Sequence, residues 1–361
     1  MKIVGSNFSP VSSFTGNFLD EWIASFNVAD SINIAVGYAS NDSLLYLKRL
    51  LEQNTTKKLQ LCIGMAYFEG LYQSQFSAVK ELNSYLVNNN LGEIRVANQF
   101  PFHGKVQLFS DGTEIQKGFI GSSNLSNIVP PSSTLNRGNY EVDVVVEDPT
   151  NLLEISEFYE LLWNQGSISL NDVNNLKVRP NTNDLMTSIF DVEEVSDAKL
   201  KSVWQAALAD SFEIPVKTAP QSNLNAYFGE GRRNKQGFSK PRHWYEVEII
   251  VDQNVQKSAK HYPVNMEFMA YTDDGYKFVL KTSGDYGKNL RSRDDLTVLG
   301  RWLKGRMENS GALESGNPVT DEVLEKYGRA TIKLTRTSIE ETDDQTGARM
   351  QVWIIDFGAD E

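Results

Sequence analysis

The sequence predicts an α/β domain followed by a β-rich domain. Its first half alternates apolar, β-branched segments with segments of helical spacing, a pattern typical of layered α/β folds. Its second half consists mainly of strand-like segments. A chain of 361 residues also exceeds what one hydrophobic core usually supports. We therefore predict two domains, residues 1–175 and 191–361, joined by a polar linker at residues 176–190.

In the first half, each predicted element follows from its hydrophobic periodicity. Ser31–Tyr38 (SINIAVGY) is apolar and β-branched, as expected of a buried strand. Leu152–Trp163 (LLEISEFYELLW) has the spacing of an amphipathic helix, and we expect its aromatic residues, Phe158 included, to lie in the core. Asp111-Gly112 is a hairpin turn signal. The other predicted strands are residues 59–66, 94–97, 105–109, 117–120 and 140–146, and the other helices are residues 44–51 and 76–86.

The second half contains strand candidates and one clear helix. The helix is Val298–Met307 (VLGRWLKGRM). The strand candidates are residues 245–251, 266–271, 278–281, 331–334 and 351–355.

Charge is distributed unevenly along the chain. The net charge of −12 argues at first against a nucleic-acid partner, because Lys and Arg dominate phosphate binding. Residues 224–306 are an exception, with 15 Lys and Arg against 10 Asp and Glu. The positive charge that DNA would need is therefore concentrated in the second domain.

The single cysteine and the amino-terminal sequence indicate a cytoplasmic protein. Cys62 lies in an apolar run, has no partner for an intramolecular disulfide, and should be a buried small hydrophobic residue. The first residues lack the pattern of a signal peptide, and we find no apolar run long enough to span a membrane.

Two short motifs lie on either side of a predicted hairpin. The motif HGK ends at Lys105, just before one strand, and the motif GSSN ends at Asn124, just after the next. These side chains should therefore meet at neighbouring strand ends. His103 could then attack a phosphodiester as the nucleophile, while a fixed cation, an amide and the Ser122 hydroxyl hold the non-bridging oxygens. Such a site needs neither a metal ion nor another cofactor.

The segments HGKVQLFSDG and GFIGSSNLS resemble the half-site signature of the phospholipase D superfamily. The resemblance implies a layered α/β/α fold for the first domain. It also implies that His103 is nucleophile or general acid, that Lys105 and Asn124 clamp the phosphate, and that Ser122 supports them. The acidic residue that the longer motif has soon after the lysine is missing, and the next acidic residue is Asp111 in the turn.

Glu141, in NYEVDVVVED, has two interpretations. The resemblance implies an acid that hydrogen-bonds His103 and fixes its tautomer. The alternative is an ordinary charge on an alternating strand, because Asp143 recurs on the same face.

The number of histidines predicts a homodimer. Phospholipase D chemistry, as the resemblance implies, uses two histidines, one to attack and one to protonate the leaving oxygen. This chain has three, His103, His243 and His261, and His103 alone lies in a half-site. The second imidazole should therefore come from a second copy across a twofold axis.

Two basic stretches of the second half are candidates for DNA contact. Both are interleaved with polar side chains suited to phosphates and base edges. The alternative is that they are solvated loops. The candidate residues are Arg232, Arg233, Asn234, Lys235, Gln236, Ser239, Lys240 and Arg242 in the first stretch, and Lys281, Ser283, Asp285, Tyr286, Lys288, Asn289, Arg291 and Arg293 in the second.

The second half also resembles the plant B-three DNA-binding pseudobarrel as it occurs in restriction enzymes. The matching segments are GRRNKQGFSKPRHWYEVEI and DGYKFVLKTSGDYGKNLRSRDDLTVLGRWLKGRM. Together, the two halves resemble restriction endonucleases of the NgoFVII and BfiI type. The resemblance implies double-stranded DNA as partner and a cognate methyltransferase. Some members of that group work with a separate ATP-driven DNA translocase subunit. Since this chain has no Walker A motif, any ATP dependence would have to come from such a partner.

These inferences predict a site-specific restriction endodeoxyribonuclease that forms a covalent phosphohistidine without metal, acting either alone or with an ATPase subunit. Two alternatives remain open. One is a lipid phosphodiesterase, which would need a membrane-facing apolar segment that is not evident here. The other is a non-catalytic, sequence-specific DNA-binding dimer.

Overall fold

The computed structural model describes residues 1–12, 16–131, 139–181, 185–187, 189–233 and 239–359. The described residues form two compact units, one extending to Asn181 and the other beginning at Leu185. The first unit is α/β and the second is rich in strands, so the predicted fold class is confirmed.

The first unit alternates strands and helices along most of its length. Its strands are β1 (Lys2–Gly5), β2 (Ser31–Val36), β3 (Lys58–Ile63), β4 (Leu71–Tyr72), β5 (Gly92–Ala97), β6 (Val106–Asp111), β7 (Glu114–Gly121), β8 (Val142–Val146), β9 (Ser167–Ser169) and β10 (Val178–Arg179). Its α-helices are α1 (Phe18–Val28), α2 (Asn41–Glu52), α3 (Ala66–Glu69), α4 (Gln73–Asn88) and α5 (Pro149–Gln165), and 3₁₀ turns occupy Leu125–Ile128 and Leu170–Asp172.

The main sheet of this unit has the strand order β1-β8-β7-β6-β2-β3-β5-β9. Strands β2, β3 and β5 are parallel, whereas β6 enters antiparallel to β2 and continues into the antiparallel strands β7 and β8. The carboxyl end of β2, the start of β6, the end of β7 and the start of β8 therefore meet at one edge of the sheet.

Helical layers cover both faces of this sheet. Leu108 of β6 belongs to a core cluster with Tyr159 and Leu162 of α5. Its neighbour Phe109 points to the opposite face, where its ring packs edge-on against Trp22 of α1 with 5.7 Å between ring centres. This is the α/β/α layering that the resemblance implied.

The strands and helices predicted in the first half are all present, with their ends shifted by a few residues. The prediction omitted β1 and α1, although α1 is capped by Asn17, whose side chain accepts the backbone N–H groups of Leu19 and Asp20. The structure also differs from the predicted linker, since β10 pairs in parallel with β4. The polar composition of this segment concealed a short strand.

Three buried residues and one exposed residue test the predicted core of the first unit. Cys62 is fully buried, as predicted, and burial raises the pKa of its thiol to about 12. Tyr159 and Trp163 are also buried. The core prediction is wrong for Phe158, which is 45% exposed because it lies on the outward side of α5.

The second unit is built mainly of antiparallel strands. They are β11 (Glu193–Glu194), β12 (Ala207–Pro215), β13 (Arg232–Arg233), β14 (Ser239–Lys240), β15 (Ile249–Ile250), β16 (Glu267–Thr272), β17 (Tyr276–Ser283), β18 (Asn289–Ser292), β19 (Thr331–Thr342) and β20 (Arg349–Asp356). The α-helices are α6 (Asp197–Gln205), α7 (Gln253–Ser258), α8 (Val298–Asn309) and α9 (Asp321–Tyr327), and 3₁₀ turns occupy Asn223–Phe228 and Asp285–Gly287.

The larger sheet of the second unit has the order β12-β19-β20-β16-β17-β18-β15, and β11 also pairs with β17. The predicted helix at Val298–Met307 is confirmed as α8. The predicted strand at residues 245–251 is wrong for most of its length, since only Ile249–Ile250 pairs. A Cβ on Gly300 would lie 1.9 Å from the Tyr245 carbonyl oxygen, so this backbone packs against α8 instead of a strand.

No helix in the described ranges is both long enough and apolar enough to cross a membrane.

Candidate functional site

The HGK and GSSN motifs meet at one edge of the first sheet, as predicted. Val106, which follows HGK, pairs with Ala35 near the end of β2 and with Ile120 near the end of β7. The backbone N–H of Gly121 donates to the carbonyl of Lys105 over 3.4 Å. The strand register therefore brings the residues after β2, before β6 and after β7 into one cluster.

His103 is exposed and lies against the residues that follow β2. A Cβ on Gly37 would lie 3.0 Å from the imidazole Cδ2, closer than an ordinary contact, so the ring packs tightly over this glycine. The Tyr38 ring meets the imidazole edge-on, with 5.4 Å between ring centres. The Tyr38 hydroxyl in turn donates to Glu69 over 3.0 Å. These contacts restrict the orientations open to the imidazole.

Lys105 is buried and its ammonium lies beside His103. Its Nζ donates to the His103 carbonyl over 2.7 Å and lies 3.2 Å and 3.4 Å from the imidazole Nδ1 and Nε2. Burial lowers the pKa of Lys105, while the negative charges of Glu141 and Asp143 oppose that effect. A fixed ammonium beside an exposed imidazole is suited to holding a phosphate oxygen near that imidazole.

The Asn124 amide has a fixed orientation. Its Oδ1 accepts the backbone N–H of Tyr38 over 3.1 Å. The side-chain NH₂ group is therefore directed away from this bond as a donor, and it donates to none of the described residues. An amide held in this way can contribute a hydrogen bond to an anionic oxygen.

The two serines of GSSN have different roles in the fold. The Ser122 hydroxyl accepts the backbone N–H of Val142 over 3.0 Å, which attaches the turn to β8. The buried Ser123 donates its hydroxyl to Asp143 over 2.5 Å and its backbone N–H to the same carboxylate over 3.2 Å. A Cβ on Gly121 would lie 2.4 Å from that carboxylate, which explains the glycine.

Glu141 lies near Lys105 but makes no hydrogen bond to His103 within the described chain. Its backbone N–H donates to the Ser6 hydroxyl over 2.9 Å, and its charge acts on Lys105 and Asp143. In this structure the carboxylate therefore affects the electrostatics of the cluster, and the orienting contacts on His103 come from Gly37 and Tyr38.

Sequence reasoning missed Gly37, Tyr38 and Asp143 as parts of this site. The signal for Asp143 was its position as a charge inside the apolar strand VDVVV, where an acid needs a partner. The signal for Gly37 and Tyr38 was weaker, because it depends on β6 pairing with β2.

The first basic stretch forms a small hairpin in the second unit. Arg232 pairs with Lys240 and Arg233 with Ser239. Arg232, Arg233 and Lys240 are exposed. Asn234, Lys235 and Gln236 lie outside the described residues. Arg242 is partly buried.

The second basic stretch presents an aromatic side chain at the tip of a turn. Tyr286 is 73% exposed and has a left-handed backbone with φ of 59°, between Gly284 and Gly287, whose φ values are also positive. Ser283 lies just before this turn, and Asn289 and Arg291 follow in β18. Lys288 pairs with Asp285 over 3.2 Å.

Lys281 and Arg293 are engaged within the second unit. Lys281 pairs with Glu267 over 2.9 Å. The Arg293 side chain is only 8% exposed and pairs with Asp294 and Asp343, each over 2.8 Å. These ion pairs make the predicted contact with DNA less favourable for both residues, and more so for Arg293 because its side chain is the more buried of the two.

Among the described residues, no group of three or more His, Cys, Asp or Glu side chains is arranged to hold a metal ion.

A layered α/β unit whose HGK and GSSN motifs meet at one sheet edge defines a phospholipase D-like domain. Residues 17–176 match the family model for the NgoFVII restriction endonuclease N-terminal PLD domain. Residues 203–338 match the model for the NgoFVII C-terminal B3-like DNA-binding domain. The chain therefore belongs to the NgoFVII type of restriction endonuclease, and this membership supports a nuclease with DNA as its partner.

Two solved structures resemble part of the chain. Polyphosphate kinase from Porphyromonas gingivalis matches 47% of the chain at 12% identity, with a TM-score of 0.29. Phosphatidylserine synthase from Haemophilus influenzae Rd KW20 matches 43% at 14% identity, with a TM-score of 0.31. The chain spans 24% and 37% of the lengths of those two proteins. A search of curated proteins gives no match.

Proposed function

We propose that this chain is a site-specific restriction endonuclease that hydrolyses DNA phosphodiester bonds without a metal ion. The observation that carries the proposal is the convergence of His103, the Lys105 ammonium and the fixed Asn124 amide at one exposed sheet edge. An exposed imidazole beside two oriented donors is suited to attack on a phosphodiester.

In the proposed reaction, an unprotonated nitrogen of His103 attacks phosphorus and forms a P–N bond. The bond from phosphorus to the leaving sugar oxygen breaks, and that oxygen takes a proton from the protonated His103 of a second copy. Lys105 and Asn124 hold the non-bridging oxygens. Water then attacks phosphorus and gives one proton to the now neutral His103 of the second copy, the P–N bond breaks, and a phosphate end forms while both imidazoles return to their starting states.

The requirement for a second copy follows from the position of the histidines. Of the three histidines in the chain, His243 and His261 belong to the second unit, so each copy of the first unit contributes one imidazole, that of His103. Three exposed apolar side chains of α5, Leu153, Phe158 and Leu161, support self-association near the His103 loop. Phe158 is exposed, and its ring lies 6.0 Å from that of Phe102, the residue before His103. One shared site would cut the two strands in succession.

In this proposal the second unit selects the DNA sequence through its two basic stretches. The exposed Arg233 and Tyr286 are the side chains best placed for this role. A cognate methyltransferase and a separate ATP-driven translocase are partners that the family resemblance implies, and cleavage with and without ATP and cell extract tests the second.

The decisive experiment is cleavage of a mixed-sequence plasmid in excess EDTA. We expect discrete fragments from the wild-type protein and none from His103→Ala, while His261→Ala, whose imidazole pairs with Asp210, should cut normally. Trapping of a phosphate label on His103 would support the covalent step. Full activity from a chain that remains monomeric during sedimentation would contradict the shared site. DNA binding that leaves the plasmid intact under every condition would favour the non-catalytic alternative.

A further inference from the structure

A buried carboxylate is shared by two arginines at the base of the first basic stretch. The side chain of Glu246 is only 10% exposed. Its Oε1 accepts from Arg232 Nη2 and from Arg242 Nη1, each over 2.5 Å. Arg232 is the first residue of β13 and Arg242 lies two residues after β14, so one acid connects both ends of the stretch.

The hairpin register separates neighbouring arginines onto opposite faces. Arg232 is paired with Lys240, whereas Arg233 is paired with Ser239. Because side chains alternate along a strand, Arg232 faces Glu246 and Arg233 faces the other way. Arg233 is exposed and forms no ion pair with a described residue. The two adjacent arginines therefore have different environments.

Their environments imply different contributions to DNA binding. A phosphate can pair with Arg233 without breaking an existing ion pair. Contact of a phosphate with Arg232 or Arg242 would compete with the ion pair to Glu246, and moving either arginine away would leave the buried carboxylate with one cation instead of two. The ion pairs of Arg232 and Arg242 with Glu246 also limit the conformations that the hairpin can adopt on a DNA surface.

We propose that Glu246 is a positioning residue for DNA recognition, holding Arg232 and Arg242 so that the hairpin discriminates between target and non-target sites. This inference rests on the proposed function, since it assumes that the second unit selects the DNA. Without the carboxylate, two arginines become available to phosphates of any sequence. Non-specific binding then tightens and discrimination falls.

The first test compares Arg232→Ala with Arg233→Ala in the full-length protein. Binding is measured over a range of salt concentrations on two duplexes of equal length and composition, a target duplex that spans a cleavage site mapped in the plasmid assay and a scrambled duplex. Arg233→Ala should lower the slope of log affinity against log salt by about one on both duplexes. Arg232→Ala should leave this slope unchanged and weaken target binding alone. Equal slope losses in both variants would overturn the inference.

The second test uses Glu246→Gln, with Glu248→Gln as a control of equal charge change. Glu246→Gln should bind the scrambled duplex more tightly, with a salt slope steeper by about two because two arginines are released, and should lower the ratio of target to scrambled affinity by about tenfold. Glu248→Gln should behave like the wild type. Glu246→Asp, which keeps the charge, should restore part of the ratio.

The outcomes separate this inference from the proposed function. If wild-type protein binds neither duplex, or if Arg233→Ala has no effect, DNA selection by the second unit fails and the role of Glu246 fails with it. If wild-type protein discriminates but Glu246→Gln discriminates equally, only the role of Glu246 is overturned. If Glu246→Gln does not fold, the comparison of Arg232 and Arg233 still decides.

Discussion

Asp143 accepts two hydrogen bonds from Ser123, one from the hydroxyl and one from the backbone N–H, at a point where both residues are buried. These bonds attach the GSSN turn to β8. Asp143→Ala would leave two buried donors unsatisfied and should lower the free energy of unfolding by about 1–3 kcal/mol, measured in urea. The cleavage rate should fall by more than the loss of folded protein explains, because the same turn carries Asn124. Unchanged stability would contradict this role.

Tyr38 should affect the chemical step through its contact with His103. Tyr38→Ala removes the ring but keeps the backbone N–H that holds Asn124, so we expect the single-turnover cleavage rate to fall by about tenfold or more. Tyr38→Phe loses only the bond to Glu69 and should stay near the wild-type rate. Tyr67→Ala, also an exposed aromatic residue, serves as the control. A similar loss in all three variants would exclude a specific role for Tyr38.

Tyr286 should contribute to target binding without contributing to stability. The ring is held outward by a left-handed turn, so Tyr286→Ala removes a surface that buries nothing in the protein. We expect target affinity to fall by about tenfold, measured by fluorescence anisotropy, with the unfolding midpoint unchanged. Tyr286→Phe should retain most of the affinity. A loss of stability instead of affinity would refute this assignment.

Arg293, unlike Tyr286, should contribute to stability and not to DNA binding. Its guanidinium is buried against Asp294 and Asp343, so Arg293→Gln leaves two carboxylates without their cation and should cost about 3 kcal/mol of stability. The salt slope of DNA binding should not change, because this charge is not available to phosphate. If the salt slope of DNA binding were lower by one in Arg293→Gln, Arg293 would have to contact a phosphate after all.

Lys304 predicts a pH dependence of stability. Its ammonium is buried in α8, donates to the Trp244 carbonyl over 2.7 Å, and has its pKa lowered by burial to about 7. Between pH 7 and its ordinary value of 10.5 the unfolded chain binds more protons than the folded one, so the free energy of unfolding should rise with pH in that range. The slope is at most about 1.4 kcal/mol per pH unit, the value for one whole proton.

Lys304→Met should remove this slope. Glu308 lies nearby and remains in the variant, but burial raises the pKa of its carboxyl from the ordinary value of 4.5, so any contribution it makes lowers the free energy of unfolding as pH rises and is opposite in sign to that of Lys304. Urea unfolding at pH 7, 8 and 9 would check the prediction. A slope that persists in Lys304→Met would show that another group is responsible.

The sequence allowed us to predict that the HGK and GSSN motifs lie close together, because both flank one hairpin and a hairpin is a local feature of the chain. His103, Lys105 and Asn124 lie on either side of one predicted hairpin, and strand pairing brings them together. Tyr38 could not be predicted in the same way. Its position beside His103 depends on β6 entering the sheet antiparallel to β2, which is a choice of topology between distant segments.

The same limit applies to the predicted DNA-binding residues. A run of basic side chains shows where positive charge occurs, but it does not show which charges are already paired. Arg293 is neutralised by Asp343, fifty residues further along the chain. Arg232 is held by Glu246, and the spacing between them gave no sign of this contact. Whether a basic side chain can contact DNA therefore depends on the ion pairs that it forms in the tertiary structure.

Strand β1, at the very start of the described chain, pairs with β8, with Lys2 opposite Val145. The edge of the sheet that carries Asp143 therefore cannot close until the ribosome has synthesised β8 and released it from the exit tunnel. A growing or truncated chain would contain His103 and Lys105 without the strand that anchors the GSSN turn. In such a chain Ser123 would lack the Asp143 carboxylate that accepts its two hydrogen bonds, so the turn that carries Asn124 would not be anchored.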